Sequence, residues 1–180
     1  MNAARSRQTT SASGSPIGRL IILNSWLWPM GVDPKFEKGK ALLDSWLMKF
    51  LYLRMNFSAR TLVKASWGTK DPLTPERHHR FKAMFPDKES RFGTWAFARA
   101  LVREEDHLQR LYQQIDKLRG IPALVIWGMA DRMVGAPHLE RWRKELPDAR
   151  FVELPEVGHF PQEEAGKEVA ELVRRFLGAS

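Results

Sequence analysis

Strand-like and helix-like segments alternate in the C-terminal third of the chain, and this alternation restricts the fold more than any other feature of the sequence. Two apolar runs, "IPALVIWG" at residues 121–128 and "ARFVEL" at residues 149–154, have the length and composition of strands. Helical patterns follow them, near residues 138–146 and over about residues 163–177. Strands and helices at this spacing indicate consecutive βα units of a parallel sheet.

A third apolar run lies nearer the N-terminus. "RLIILN" at residues 19–24 is continuously apolar over the length of a strand. Runs of this kind suit a parallel strand that is buried on both faces. The sequence therefore predicts an α/β fold with a parallel sheet of about three strands.

The stretch between the first and second predicted strands, about Pro34 to Leu118, has helical patterns and no strand pattern. In "KGKALLDSWLMKFLYLRM" the apolar residues that can share one helix face are Leu43, Trp46, Leu47, Phe50 and Leu51. Thr74 and Pro75 suit the first positions of another helix, and a further helix is predicted from about Ala96 to Leu118. This stretch is thus predicted to be a helical insertion in the sheet.

These patterns divide the chain into four regions. Residues 1–18 are basic, rich in Ser and Thr, free of acidic residues and without the apolar stretch of a secretory signal, so we expect a disordered leader. Residues 19–28 hold the first core strand and its following loop, residues 29–118 a helical cap, and residues 119–180 the C-terminal βαβα part of the core.

Composition excludes several kinds of site. The 180 residues include no cysteine, which rules out disulfides, thiolate metal sites and a cysteine nucleophile. The absence of cysteine also fits a reducing compartment, so we expect a cytoplasmic location. No apolar run approaches the roughly 20 residues that span a bilayer, so we expect no membrane segment. The net charge of +8 would suit nucleic acid, but the 29 Lys and Arg are scattered among 21 Asp and Glu. We therefore expect no nucleic-acid partner; the alternative, a basic nucleic-acid-binding protein, would lose affinity steeply with salt.

Three polar residues fall at the carboxyl ends of the predicted strands. Asn24 ends the first strand, Asp131 lies in the loop "GMADRMVG" after the second, and His159 follows the third within "EVGHFPQEE". Ligands and catalytic groups gather at this edge of open parallel sheets. A carboxylate beside an imidazole fixes its tautomer and stabilises the imidazolium, which makes Asp131 and His159 candidates for the acid and base of a catalytic triad.

Two stretches carry a resemblance to a known family. "IPALVIWGMADRMV" followed by "ARFVELPEVGHFPQEE" resembles the end of an α/β-hydrolase, where the acid follows one strand and the histidine the next. "RLIILNSWLWP" and "FPDKESRFGTWAFARAL" are similar to the haloalkane dehalogenase branch, including its helical cap between two core strands. The resemblance covers about Arg19 to Leu177.

The resemblance implies a chemistry. His159 would be the base that activates water, Asp131 its carboxylate partner, and Asn24, which cannot serve as an anion, a hydrogen-bonding residue beside them. In the complete enzyme an aspartate would displace halide from a small apolar substrate, and water would then hydrolyse the ester. Neither a metal nor an organic cofactor is expected. An epoxide hydrolase and a serine esterase of the same fold remain alternatives, which the identity of the nucleophile would decide.

The sequence departs from the family in its nucleophile. The elbow places a nucleophile between two glycines four residues apart, and the only such pair is Gly14 and Gly18, with Pro16 at its centre. We therefore expect a truncated chain that corresponds to the C-terminal part of a hydrolase and is inactive alone. A non-catalytic fragment is the alternative. A three-stranded remnant would also expose a sheet edge through which chains could associate.

Indole groups and two acids near His159 allow further interpretations. Trp46 and Trp67 in the predicted cap could donate to a departing halide, and Trp26 and Trp28 could line the cap entrance, with core packing as the alternative for each. Glu163 and Glu164 are interpreted as charges that favour the N-terminus of the last helix.

Overall fold

The computed structural model describes residues 17–29 and 40–178. The predicted leader, residues 1–18, lies outside these ranges except for its last two residues, and so do residues 30–39 of the predicted cap. The division into a leader, a cap and a core stays a prediction.

A three-stranded parallel sheet forms the base of the fold. Its strands are β1 (Leu20–Leu23), β2 (Ala123–Gly128) and β3 (Arg150–Leu154), in the order β1-β2-β3. Leu20 pairs with Ala123 in the first ladder, and every residue of β2 is buried. The predicted α/β fold with a small parallel sheet is confirmed.

Helices fill the described part of the chain between the strands and after β3. They are α1 (Trp46–Met55), a π-helical turn (Ser58–Leu62) that continues into α2 (Val63–Ser66), α3 (Pro75–Ala83), α4 (Lys88–Arg103), α5 (Glu105–Tyr112), a 3-10 turn (Ile115–Leu118), α6 (Ala136–Glu145), α7 (Pro161–Glu164) and α8 (Gly166–Leu177). Residues 40–43 are also helical. No strand interrupts the described residues between β1 and β2. We call residues 40–118 the helical segment.

Side-chain caps decide where two of these helices begin. The Thr74 side chain accepts a hydrogen bond from the backbone of Arg77 at the start of α3, as expected. Asp87 and Ser90 form a capping box that begins α4 eight residues before the predicted start at Ala96. The prediction of one helix from about Ala96 to Leu118 is wrong, because the backbone leaves helical geometry at Glu104.

Apolar side chains cover both faces of the sheet. One cluster, which includes Ile22, Trp127 and Trp142, lies against α6, and the other, which includes Leu124 and Val169, lies against α8. β2 contributes alternate residues to the two clusters because successive side chains of a strand point to opposite faces. The sheet thus holds the ends of its strands, where the candidate site residues lie, on a packed base.

The predicted apolar face of α1 is wrong. Trp46 is 78% exposed, and Leu47 and Phe50 are also exposed, whereas the buried residues of this helix are Met48, Tyr52 and Leu53. These three pack with Trp95 of α4, so the partner helix and not the largest apolar cluster decides which face of α1 is buried. Leu43 and Leu51 are only half-buried beside this cluster.

Candidate active site

The carboxyl ends of the three strands bring the predicted polar residues together. The Nδ1 atom of His159 lies 2.7 Å from Oδ2 of Asp131. The side-chain amide of Asn24 donates to the same carboxylate oxygen at 2.9 Å. Three residues from loops that are distant in the sequence therefore form one hydrogen-bonded group, because parallel strands end at the same edge of the sheet.

Asp131 is held from both of its oxygens. Its Oδ1 accepts hydrogen bonds from the backbone N–H groups of Met133 (2.7 Å) and Val134 (3.0 Å), so the carboxylate is fixed by its own turn. The side chain is fully buried. Since a carboxylate can only accept, the proton in the contact with His159 is on Nδ1, and this leaves Nε2 as the free acceptor of the neutral imidazole.

Asn24 links the ends of β1 and β2. Its Oδ1 accepts from the backbone N–H of Gly128 at 2.7 Å, and its amide donates to the carbonyl of Gly128 at 3.0 Å as well as to Asp131. The residue has a positive φ of 22°, a conformation in which Asn is enriched. These bonds fix the orientation of the side-chain amide. If the amide were turned over, its oxygen would face Asp131 and the hydrogen bonds to Gly128 and Asp131 would be lost.

The loop of His159 contacts both the sheet and the helical segment. Val157 in this loop accepts a hydrogen bond from the backbone of Ala130 at 2.9 Å, and the backbone N–H of His159 donates to the carbonyl of Ser66 at 2.8 Å. The imidazole ring also contacts the ring of Phe160 at a centroid distance of 5.0 Å. Main-chain contacts therefore hold the backbone of His159 in a position from which its side chain reaches Asp131.

Sequence reasoning missed one buried acid of this loop. Glu164 is 3% exposed, and its carboxylate accepts backbone hydrogen bonds from Gly68, Gly158 and Phe160 at 2.7, 2.8 and 3.1 Å. From the sequence, Glu163 and Glu164 are interpreted alike, as charges that favour the N-terminus of the last helix. Nothing in the sequence distinguishes the two, because only the tertiary approach of residue 68 to residue 158 makes one of them buried.

A cavity of about 440 Å³ opens beside His159. Most of its wall is apolar and comes from the helical segment, and its lining residues are Tyr52, Ser58, Leu62, Val63, Ser66, Phe85, Ser90, Gly93, Thr94, Phe97, Ala98, Leu101, Met133, His159 and Phe160. The Nε2 atom of His159 makes no hydrogen bond within residues 17–29 and 40–178. The acceptor nitrogen is thus available to a ligand or a water molecule in this cavity.

Tyr52 is a buried polar residue of the cavity wall. Burial raises the pKa of its phenol above the ordinary value, so the hydroxyl is uncharged near neutral pH. The wall of the cavity therefore adds no negative charge of its own from this group.

The four tryptophans proposed for the pocket do not line this cavity. Trp46 projects from the surface of α1, and the indole N–H of Trp67 donates to the carbonyl of Asp71 at 2.7 Å. Trp28 is buried and donates to Nδ1 of His138, and Trp26 packs against the same histidine. The aromatic wall comes instead from Tyr52, Phe85 and Phe97 of the helical segment and from Phe160 of the His159 loop, which the sequence patterns did not single out.

The cavity wall offers hydroxyl groups but none is paired with His159. Ser66, Ser90 and Thr94 donate to backbone carbonyls of their own helices or turns. In the part of the chain that the structure describes, no hydroxyl or second carboxylate is hydrogen-bonded to Nε2 of His159. Within the described residues, the site therefore contains an imidazole hydrogen-bonded to a buried carboxylate and no nucleophilic side chain paired with that imidazole.

The described residues offer neither a metal site nor a membrane-spanning helix. Within residues 17–29 and 40–178, no three His, Asp or Glu side chains come together in a way that could hold a metal ion. Of the helices described, none has the length and apolar character to cross a membrane.

Comparison with known proteins places the fold. A sequence model for the alpha/beta hydrolase fold matches residues 6–166, and this match begins inside the predicted leader. Haloalkane dehalogenase 2 of Mycobacterium tuberculosis is 28% identical over 162 residues, which are 87% of this chain and 55% of that protein. The chain thus spans about half the length of this curated relative.

Solved structures agree with this result at the level of the fold. The haloalkane dehalogenase DatA from Agrobacterium tumefaciens superposes with a TM-score of 0.71 at 19% identity over 89% of this chain and 58% of that chain. A thermophilic esterase from Thermogutta terrifontis gives a TM-score of 0.64 at 20% identity over 89% of this chain and 55% of that chain. With the family model covering most of its length, this chain belongs to the α/β-hydrolase fold family and is similar to its haloalkane dehalogenases.

Proposed function

We propose that this chain provides the acid and base half of a dehalogenase-like hydrolase. The observation that carries the proposal is the pair of His159 and Asp131, joined at 2.7 Å, with the free Nε2 of the histidine beside an apolar cavity. The small apolar substrate of the proposal fits the phenylalanine- and leucine-rich wall. Apolar surroundings also lower the local dielectric constant, which strengthens the electrostatic interaction between the imidazole and the carboxylate.

In this reaction an aspartate carboxylate displaces halide from carbon, which leaves an alkyl ester. His159 then takes a proton at Nε2 from a water molecule as the water oxygen adds to the ester carbonyl. The imidazolium that forms is stabilised by Asp131 through the Nδ1–H bond, and it returns the proton to the departing alkoxide. The balance is one haloalkane and one water converted to one alcohol, one halide and one proton.

The nucleophile of this reaction has to come from outside the described site. The sequence contains no elbow with a nucleophile between two glycines, because its only spacing of that kind has Pro16 at the centre. We therefore expect no turnover by this chain alone. We call the chain co-produced with the part of the Mycobacterium tuberculosis relative that has no counterpart in it the complemented enzyme.

The test measures halide release from a bromoalkane by this chain alone, by the complementing part alone, and by the complemented enzyme. We expect release only from the complemented enzyme. Hydrolysis of a nitrophenyl ester or opening of a terminal epoxide without any halide release would replace the dehalogenase by the esterase or the epoxide hydrolase. No turnover of any of the three substrates by a folded complemented enzyme would refute the proposed function.

The free edge of β1 suggests how a further segment joins this chain. β1 pairs with β2 on one side only within the described residues, and Ile21 on this strand is exposed. An unpaired apolar edge promotes association with another strand. We expect the isolated chain to self-associate in sedimentation experiments and Ile21→Lys to shift it toward the monomer. An unchanged distribution of species would show that this edge is not the contact.

A further inference from the structure

Glu164 is a buried carboxylate that the proposed reaction does not use. Three backbone N–H groups, from Gly68, Gly158 and Phe160, donate to its two oxygens at 2.7, 2.8 and 3.1 Å. No Lys or Arg of residues 17–29 and 40–178 forms an ion pair with it. A buried carboxylate without a cation is tolerated only when such donors replace its water, so this arrangement is built around the anion.

The three donors identify what the carboxylate holds. Gly158 and Phe160 are the immediate neighbours of His159 in the chain, so the backbone N–H groups of the residues before and after the histidine are bonded to one side chain. Gly68 belongs to the helical segment, two residues after the end of α2. Glu164 thus joins the His159 loop to the segment that provides most of the cavity wall.

The two backbones are in direct contact at this point. The N–H of His159 donates to the carbonyl of Ser66, and the N–H groups of Thr69 and Lys70 donate to the carbonyl of Glu156. A Cβ atom on Gly68 or on Gly158 would collide with backbone atoms of the other segment. The absence of both side chains is therefore what lets the carboxylate of Glu164 reach three N–H groups at once.

The neighbouring Glu163 separates this role from a helix-start role. Both acids lie in the single turn of α7, but Glu163 is exposed and makes no such bonds, although its charge has the same relation to the helix. An acid that served only the helix dipole would not have to be buried. The burial of Glu164 is accounted for by the loop that it holds.

We propose that Glu164 is a positioning residue for His159, which holds the loop so that Nδ1 of the imidazole meets Asp131 and Nε2 faces the cavity. Ser66 lines the cavity, and its carbonyl accepts a hydrogen bond from the backbone N–H of His159. Glu164 therefore fixes this part of the cavity wall together with the His159 loop. The inference depends on the proposed function only for what His159 does, not for where Glu164 places it.

The test compares Glu164→Gln with Glu163→Gln in the full chain. A glutamine oxygen can still accept from two of the donors, but its NH₂ group then faces the third N–H. In the unmodified chain the hydrogen bond to Asp131 protects the Nδ1 proton of His159 from exchange with water. By NMR we expect this proton to exchange at least tenfold faster in Glu164→Gln. Glu163→Gln should match the unmodified chain. A folded Glu164→Gln variant with an unchanged Nδ1 proton would overturn the proposal.

Two measurements cover a Glu164→Gln variant that does not fold. Glu164→Asp keeps the charge but shortens the reach, so the same faster Nδ1 exchange is expected, and an unchanged proton in this folded variant would contradict the proposal. In the unmodified chain, hydrogen exchange of the Gly68, Gly158 and Phe160 amides should be slow and should occur with one common opening rate. Fast exchange of these three amides at unrelated rates would equally overturn the proposal.

Turnover separates this inference from the proposed function. In the complemented enzyme we expect Glu164→Gln to lower kcat at least tenfold with KM within a factor of two, since the cavity remains while the base is displaced. An unchanged kcat in an active complemented enzyme would count against Glu164 alone. Absence of activity in the unmodified complemented enzyme would count against the proposed function. The exchange rate of the Nδ1 proton would still test the role of Glu164.

Discussion

Replacing His159 by alanine in the complemented enzyme is expected to lower steady-state halide release by about 10⁴-fold, the upper end of what a positioned general base contributes. The base is needed to hydrolyse the ester, so turnover stops after the first displacement. The cavity around residue 159 is apolar, and no second base is hydrogen-bonded at this position within the described residues that could replace the imidazole.

The matched control is His79→Ala, because His79 is an exposed histidine of α3 outside the cavity lining. Its halide release should stay within a factor of two of the unmodified complemented enzyme. Comparable steady-state rates in the His159→Ala and His79→Ala variants would mean that the imidazole at position 159 takes no part in the reaction.

Asp131→Asn is expected to have an effect of comparable size, a fall in kcat on the order of 10⁴-fold. Oδ1 can keep its bonds to Met133 and Val134, but the new amide would present hydrogens to His159. The imidazole then accepts at Nδ1 and carries its proton on Nε2, where it can no longer take one from water. The same amide meets the side-chain N–H of Asn24.

The variant should therefore also be less stable, by about 1–3 kcal/mol for the buried donor of Asn24 that loses its acceptor. Kinetics of the complemented enzyme and urea unfolding of the chain measure the two effects separately. Asp148→Asn, a change at an exposed aspartate, serves as the control. An Asp131→Asn variant with a normal kcat and a normal unfolding midpoint would show that the Asp131 carboxylate contributes to neither catalysis nor stability.

The sheet and the positions of the candidate site residues could be predicted from sequence because short-range signals determine them. Apolar runs of strand length predicted the strands, and parallel strands bring their carboxyl ends to one edge, which placed Asn24, Asp131 and His159 near each other. The chain order of the acid and the histidine added the family resemblance. None of these arguments depends on how the helices pack.

The features that were missed depend on packing. The buried face of α1 is selected by Trp95 across the helix pair, so the exposure of Trp46 could not be read from its own helix. The role of Glu164 requires two chain segments with 90 or so residues between them to meet through glycines, a tertiary contact for which a single sequence holds no signal. The spacing of apolar residues along a helix predicts that one face is buried, but it does not identify the element that packs against this face.

The most direct measurement of the central claim is the intact mass of the complementing part after the complemented His159→Ala variant has been incubated with a bromoalkane. If His159 is the base that hydrolyses the ester, the first displacement proceeds without it, and the mass should increase by one alkyl group in nearly every molecule. The unmodified complemented enzyme should show no lasting increase. A His159→Ala variant that turns over the substrate and carries no alkyl group would contradict the assignment of His159 and Asp131 as the base and its partner.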